Sequence, residues 1–150
     1  MAPPGPVDVP FAIAIPRRPP SANRGPNAKF TAAVVAAAGA RFVGPLLRGP
    51  LYARIFWFHK YKTTEGDADN IAKRLLDALK GVVYPDDHLI THCLAARIDA
   101  TLDMEISQAG VDANVFQELL QLLGDPSVRD ILYVEVGKHA GKAVSFGRVG

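Results

Sequence analysis

The sequence has little cysteine, little net charge and no long apolar run, and each shortage excludes a class of protein. Cys93 is the single cysteine among 150 residues, so a small secreted fold held together by disulfides is excluded. Apolar runs such as 11–15 are far shorter than the roughly 20 residues that a membrane span needs. The proline-rich start, residues 1–10, lacks the basic region of an export signal. We therefore expect a cytoplasmic protein that does not insert into membranes.

The small net charge of +2 conceals an uneven distribution of charged residues. Residues 1–66 contain nine Lys and Arg and two acids, whereas residues 67–90 contain five Asp and three basic residues. Basic side chains attract phosphates, and clustered carboxylates repel them unless a cation intervenes. This pattern is typical of a protein that binds a polyanion beside a cation site, with an unevenly charged solvated surface as the alternative.

The hydrophobic pattern predicts a single domain of the α+β class. Helices interspersed among hairpin-like strands, without a regular β-α-β repeat, favour that class. Asn27 is the predicted N-cap of the first helix, and Gly81 is the predicted stop of the second. The predicted strands span residues 11–15, 51–62, 89–98, 131–136 and 143–149, with 102–107 pairing back on 89–98 as a hairpin, and the predicted helices span about 28–42, 67–80 and 111–123.

The most informative stretch contains five aspartates between residues 67 and 87. Asp67 and Asp69 lie two residues apart, so an extended approach to the helix points both carboxylates the same way. A strand that returns along the helix would bring Asp86 and Asp87 near the N-terminal end of that helix. Carboxylates at 4 Å repel by roughly 4 kcal/mol, so such a group needs protons or cations. All-oxygen ligands without paired His or Cys favour Mg²⁺ or Mn²⁺ over zinc.

A lysine and an asparagine on the same predicted helix complete this constellation. Lys73 lies one turn beyond Asp69, where its ammonium could stabilise negative charge on a scissile phosphate. Asn70 could hold a water molecule or orient a carboxylate. A divalent ion beside them would meet the requirements of phosphodiester hydrolysis. Taken singly, these residues also have ordinary structural explanations as a helix cap, an exposed ladder at four-residue spacing and a Pro-Asp-Asp turn.

Taken together, these motifs resemble the signature of the RusA-type Holliday-junction resolvases. The resemblance covers about residues 11–107. It implies a homodimer with a mixed sheet and packed helices that uses Mg²⁺, binds four-way DNA junctions and nicks two strands symmetrically. It assigns metal binding to Asp67, Asp69 and Asp87, an essential role to Lys73, and the place of the neighbouring acid to Asp86. The residues that carry it are Asp67-x-Asp69-Asn70-x-x-Lys73-x-x-x-Asp77-Ala78-Leu79, Gly81-Val82-Val83-Tyr84-x-Asp86-Asp87 and Pro19-Pro20-Ser21-x-Asn23-Arg24.

The chain departs from the family pattern in three places. Glu65 and Gly66 stand where basic residues commonly precede the first acids, and His88 replaces a small polar residue. Residues 108–150 have no counterpart, and we interpret them as a C-terminal extension, a helix and a strand pair, on a core of residues 11–107. DNA contacts are therefore expected from other cations, namely Arg17, Arg18, Arg24, Lys60 and Lys62.

The sequence thus predicts a homodimeric nuclease in which Mg²⁺, with Mn²⁺ as an alternative ion, is bound by three aspartates. A four-way junction presents two equivalent strands, which a two-fold pair of sites would address together. Two alternatives stay open. One is a non-catalytic protein of the same fold that binds branched DNA, and the other is a nuclease that acts on other branched DNA.

Overall fold

The structure is a computed structural model that describes residues 9–20, 28–63, 68–107, 110–139, 144, 146 and 147. A single 3₁₀ turn, Asp87–Leu89, precedes the third strand. The strands and helices, in chain order, are β1 (Phe11–Ile15), α1 (Ala28–Arg41), β2 (Leu51–His59), α2 (Ala68–Leu79), β3 (Ile90–Asp99), α3 (Ala113–Gly124) and β4 (Asp130–Lys138).

The four strands form one mixed sheet in the order β1-β4-β2-β3. β4 lies antiparallel to both β1 and β2, and β2 lies parallel to β3. Parallel strands need a crossover connection, which α2 provides between β2 and β3. β4 is buried on both faces from Ile131 to Gly137, because a central strand has layers above and below it.

The helices cover the two faces of the sheet unequally. α1 and α2 pack on the face that carries Ile55, Trp57 and Val134. α3 packs on the opposite face, where Val115 and Leu119 meet the strand residues Phe58, Ile131 and Tyr133. An ion pair between Arg41 and Glu118 joins α1 to α3. Because both of these helices also contact β1, the β1 edge of the sheet is covered, and β3 forms the other edge.

The α+β class with a mixed sheet and packed helices is confirmed. The three predicted helices and the strands over 11–15, 51–62, 89–98 and 131–136 are present, with ends that differ by up to three residues. The hairpin strand over 102–107 is wrong, because those residues form a turn and irregular chain. Most of the predicted strand 143–149, and the N-cap Asn27, lie outside the described residues.

The predicted C-terminal extension is not confirmed. β4 comes from residues 108–150, yet it lies between β1 and β2 and supplies the partner strand of both. Without β4 the two strands would have no hydrogen-bonded link in this sheet. None of the described helices has the length and apolar composition that would let it cross a bilayer.

Candidate metal centre and nucleic-acid interface

The candidate site begins on the exposed face of α2. This helix buries an apolar stripe that includes Ile71, Leu75 and Leu79, and its opposite face is exposed to solvent. Asp69 lies in the first turn, and Lys73 lies one turn later; both are exposed. Asn70 is half-buried beside them. The helix therefore presents the predicted acid and lysine on one accessible face, at the four-residue spacing expected from the sequence.

The loop that follows α2 is held against the last turns of the helix by Tyr84. Gly81 ends α2 with a φ of +82°, a left-handed conformation that favours glycine. In the last turn of the helix, the Leu76 carbonyl accepts a hydrogen bond of 2.5 Å from the hydroxyl of the fully buried Tyr84. The Tyr84 carbonyl accepts a bond of 2.7 Å from the Gly81 amide. Tyr84 therefore determines where the chain emerges toward the predicted acids.

Asp86 and Asp87 begin the 3₁₀ turn, and the two acids have different surroundings. The Asp86 carboxylate accepts a hydrogen bond from the His88 amide at 3.2 Å, and the His88 ring nitrogen Nδ1 lies 3.4 Å away. Hydrogen bonds from the His88 amide, from the Asp87 side chain and from the His88 ring lower the pKa of Asp86 to about 2. Asp87 is exposed. Asp86 is thus the cap of the turn, which leaves Asp87 as the more accessible acid.

This pair of acids follows the turn that ends α2. The Asp86 carboxylate lies 4.0 Å from the ammonium of Lys80, the residue directly after α2. The turn at 81–84 is held beside the end of the helix by the Lys80–Tyr84 bridge, and the Val83 carbonyl accepts a hydrogen bond from the Leu47 amide in the segment between α1 and β2. The approach of Asp87 to Asp67 and Asp69 stays a prediction.

Electrostatic interactions connect the acids across α2, the 3₁₀ turn and β3. Burial raises the pKa of the Tyr84 hydroxyl, and the charges of Asp87, Asp77 and Cys93 raise it further. Partial burial also raises the pKa of the Cys93 thiol, with a second contribution from Asp69. The charge of Asp69 thus raises the pKa of a residue in the first half of β3. The charges of Asp87 and Asp77 raise the pKa of Tyr84, the tyrosine that anchors the loop.

The donor chemistry of these acids fits a hard divalent cation. Asp69 and Asp87 are exposed oxygen donors, and the Asp87 side chain is within hydrogen-bonding reach of the Asp86 carboxylate. Two carboxylates this close need a shared proton or a cation. Among the described residues, however, no group of three His, Cys, Asp or Glu could hold a metal ion. Asp67, the remaining predicted ligand, lies outside the described residues.

The predicted DNA contacts that the structure describes lie at the end of the sheet where β1 and β2 finish. Arg17 and Arg18 follow β1 and are exposed, and Lys62 follows β2 and is exposed. The charge of Lys62 acts on Asp99 at the end of β3, where hydrogen bonds from Thr101 are the main cause of a lowered pKa. Arg24 lies outside the described residues.

Lys60 has a different role from the predicted phosphate contact. Its ammonium donates hydrogen bonds to the carbonyls of Leu122 at 2.8 Å and Asp125 at 2.7 Å. These carbonyls belong to the C-terminal end of α3, where unsatisfied acceptors and the helix dipole favour a cation. This role is not visible in the sequence, because residues 60 and 122 are neighbours only in the folded chain.

Tyr84 belongs to the motif at 81–87, and its role was not among the predictions from the sequence. The available signal was a tyrosine at the end of a short apolar run before Pro85, because a buried tyrosine hydroxyl needs a hydrogen-bond partner. In the structure that partner is the α2 backbone, which makes Tyr84 a positioning residue for the loop.

Comparison with known protein families finds a match for this chain. The model of a family described as Endodeoxyribonuclease RusA matches residues 26–107, which is more than half of the chain. The matched segment contains α1, β2, α2 and β3, and β4 lies beyond it. A search of curated proteins finds no match.

Proposed function

Because the chain belongs to the RusA family of endodeoxyribonucleases, we propose that it is a Mg²⁺-dependent nuclease that resolves four-way DNA junctions in recombination and repair. It would do so by symmetric paired nicking. The observation that carries this proposal is the family match over residues 26–107. That segment includes all three predicted carboxylates and Lys73.

In this proposal Asp67, Asp69 and Asp87 hold Mg²⁺, or Mn²⁺ in its place. The exposure of Asp69 and Asp87 and their oxygen-only chemistry support this assignment. When bound, the ion would polarise a phosphoryl oxygen and lower the pKa of a water molecule. Asp86, which caps the 3₁₀ turn, would keep Asp87 oriented toward solvent through the hydrogen bond to the His88 amide.

Lys73 is the residue we propose for charge stabilisation during cleavage. Its ammonium is exposed on α2, one turn from Asp69, and offers up to three hydrogen-bond donors. Negative charge that develops on the scissile phosphate or the leaving oxygen would be stabilised there by a donor already in position. Asn70, half-buried between the two, would hold a water molecule or orient the Asp69 carboxylate.

A homodimer would allow both nicks to occur in one complex. The support is the symmetry of the substrate, since a four-way junction offers two equivalent strands to a two-fold pair of sites. Light scattering would measure the mass of the protein in solution. Mixed dimers with one Asp69→Asn subunit should nick one strand of a junction and leave the other intact, whereas independent monomers would give unlinked nicks.

The central experiment compares nicking of a four-way junction, a flap and plain duplex in Mg²⁺ at one salt concentration. Asp69→Asn and Asp87→Asn should each lower junction cleavage by about two orders of magnitude or more, because a bound cation supplies several kcal/mol of transition-state stabilisation. Asp103→Asn is the control, since Asp103 is an exposed aspartate outside the motif that carries the family resemblance. It should leave cleavage nearly unchanged.

The outcomes separate the proposed function from its two alternatives. If the protein binds junctions but never nicks them in either ion, it is a non-catalytic branched-DNA-binding protein. If flaps are cut faster than junctions, the nuclease chemistry stands and the substrate changes. Unchanged cleavage by both Asn variants would contradict the carboxylate assignment.

A further inference from the structure

Three chain segments that are distant in sequence meet at the end of the sheet where β1 and β2 finish and β4 begins. β4 runs antiparallel to both neighbours, so its first residue lies beside the last residues of β1 and β2. The register pairs His59 with Asp130 and Ile15 with Leu132. Arg18 follows β1, Tyr61 follows β2 and Arg129 precedes β4, and all three therefore come together at this end of the sheet.

The Tyr61 ring is held in one orientation by its neighbours. Its hydroxyl donates a hydrogen bond of 2.6 Å to Oδ1 of Asp130, which also accepts a bond of 3.0 Å from the Trp57 indole. Burial, the hydrogen bond to Asp130 and the charge of Asp130 raise the pKa of Tyr61 to about 12, so the hydroxyl remains a donor at neutral pH. The His59 ring lies 5.8 Å from the Tyr61 ring, between centroids.

Two guanidinium groups lie over this ring. The guanidinium carbon of Arg129 is 4.6 Å from the ring centroid of Tyr61, and that of Arg18 is 5.9 Å away. Both distances are in the range of a cation–π interaction, which orients a guanidinium without neutralising it. Arg18 and Arg129 are both exposed. Within the described residues, no carboxylate lies at ion-pairing distance from the Arg129 guanidinium.

We propose that Tyr61, Arg18 and Arg129, here called the Tyr61 platform, bind backbone phosphates of the DNA substrate. This inference rests on the proposed function and adds to it a contact surface that includes Arg129, a residue beyond the family-matched segment. Guanidinium groups match phosphate oxygens in a bidentate geometry, and an aromatic ring beneath them fixes that geometry before binding.

The surrounding charges favour a polyanion over an acidic peptide or a structural role. Arg17 and Lys62 are exposed on the segments that carry Arg18 and Tyr61, so the platform lies among further cations. The acid that follows Arg129 is engaged elsewhere: Oδ1 of Asp130 accepts hydrogen bonds from Trp57 and Tyr61. Asp125 accepts from Ser127 and Asp99 accepts from Thr101.

The platform would contribute affinity and register. Contacts to backbone phosphates position a protein on the duplex and are not read as base sequence. Along the chain, Tyr61 precedes α2, which carries Asp69 in its first turn.

The test is DNA binding in a chelator, so that no cleavage contributes. Arg129→Ala should weaken junction binding by roughly tenfold and reduce the slope of log affinity against log salt by about 0.9, the value for one lost phosphate contact. Lys138→Ala is the matched control, because it removes one exposed charge at the opposite end of the same strand. Tyr61→Leu keeps both guanidinium charges and should weaken binding with little change in slope.

Thermal melting of each variant shows whether its fold is intact. If Arg129→Ala, with an unchanged melting temperature, has the affinity and salt slope of Lys138→Ala, the platform is not a DNA contact. If the unsubstituted protein binds neither junction nor duplex, the proposed function fails and this inference fails with it. Cleavage that is lost in Asp69→Asn, together with binding that is unaffected by Arg129→Ala, would overturn this inference alone.

Discussion

Replacement of Lys60 by methionine distinguishes its structural role from the DNA contact that the sequence predicts. In the structure its ammonium donates to the carbonyls of Leu122 and Asp125 at 2.8 and 2.7 Å. Methionine keeps most of the apolar stem of the side chain and removes only the charged donor. The C-terminal end of α3 would then lose two charge-assisted hydrogen bonds and a cation placed favourably in the field of the helix.

The size of the effect follows from these two bonds. Hydrogen bonds to charged groups contribute about 1.5 to 3 kcal/mol each. Part of this is offset because ordering a lysine side chain costs about 1.5 to 2 kcal/mol, and water can solvate the freed carbonyls. A net loss of about 2 kcal/mol in the free energy of unfolding is expected. For a chain of this length the melting temperature would fall by roughly 4 to 8 °C.

Urea and thermal denaturation measure the loss, and DNA binding is measured on the same samples. Lys62→Met is the matched control, because Lys62 is exposed and belongs to the same connection after β2. Lys60→Met should be destabilised and retain its DNA affinity below the new melting temperature, and Lys62→Met should melt like the unsubstituted protein. A Lys60→Met variant with unchanged stability and weakened DNA binding would refute the capping role.

Three further expectations concern buried tyrosines and a tightly packed glycine. Tyr84→Phe should cost about 1 kcal/mol in urea denaturation and reduce cleavage, because the loop loses its bond to the Leu76 carbonyl; unchanged values for both would contradict the anchor. Gly137→Ala should cost about 1 to 3 kcal/mol, since the new methyl would lie 2.7 Å from the Tyr52 ring, and the cost should shrink in a Tyr52→Ala background. In alkaline titration the near-ultraviolet phenolate signal of the folded protein should stay low at pH 10.0, and stability should fall as the pH rises toward about 12. The folded protein holds its tyrosine protons longer than the unfolded chain, as in Tyr61, where the pKa rises from 10.0 to about 12. A phenolate signal with the ordinary midpoint would contradict this.

The helices and most strands could be predicted because their signals are local. The apolar spacing of Ile71, Leu75 and Leu79 is a property of consecutive residues, and so is the glycine stop at Gly81. The exposed positions of Asp69 and Lys73 follow from the same periodicity. The run from Ile131 to Val136 also carries a signal for a central strand, since it is mostly apolar without strict alternation.

The pairing of strands was not predictable in this way. Interpretation of residues 102–107 as a hairpin partner of β3 followed their nearness in sequence, which often but not always predicts pairing. β3 instead pairs with β2 through the α2 crossover, and β4 fills the position between β2 and β1. Which strand edges meet depends on the packing of both faces of the sheet, and no short window of sequence contains that information.

By itself, the sequence determined the helical periods, the family resemblance and the presence of an acid-rich segment beside a basic one, because each is encoded in neighbouring residues. Only the tertiary structure decided that Lys60 caps α3, that Asp86 lies beside Lys80, and that Arg129 lies over Tyr61. The turn at 81–84 brings Asp86 to Lys80. The contacts of Lys60 and Arg129 join residues far apart in the chain, because antiparallel pairing on both sides of β4 brings the ends of β1 and β2 beside its first residues.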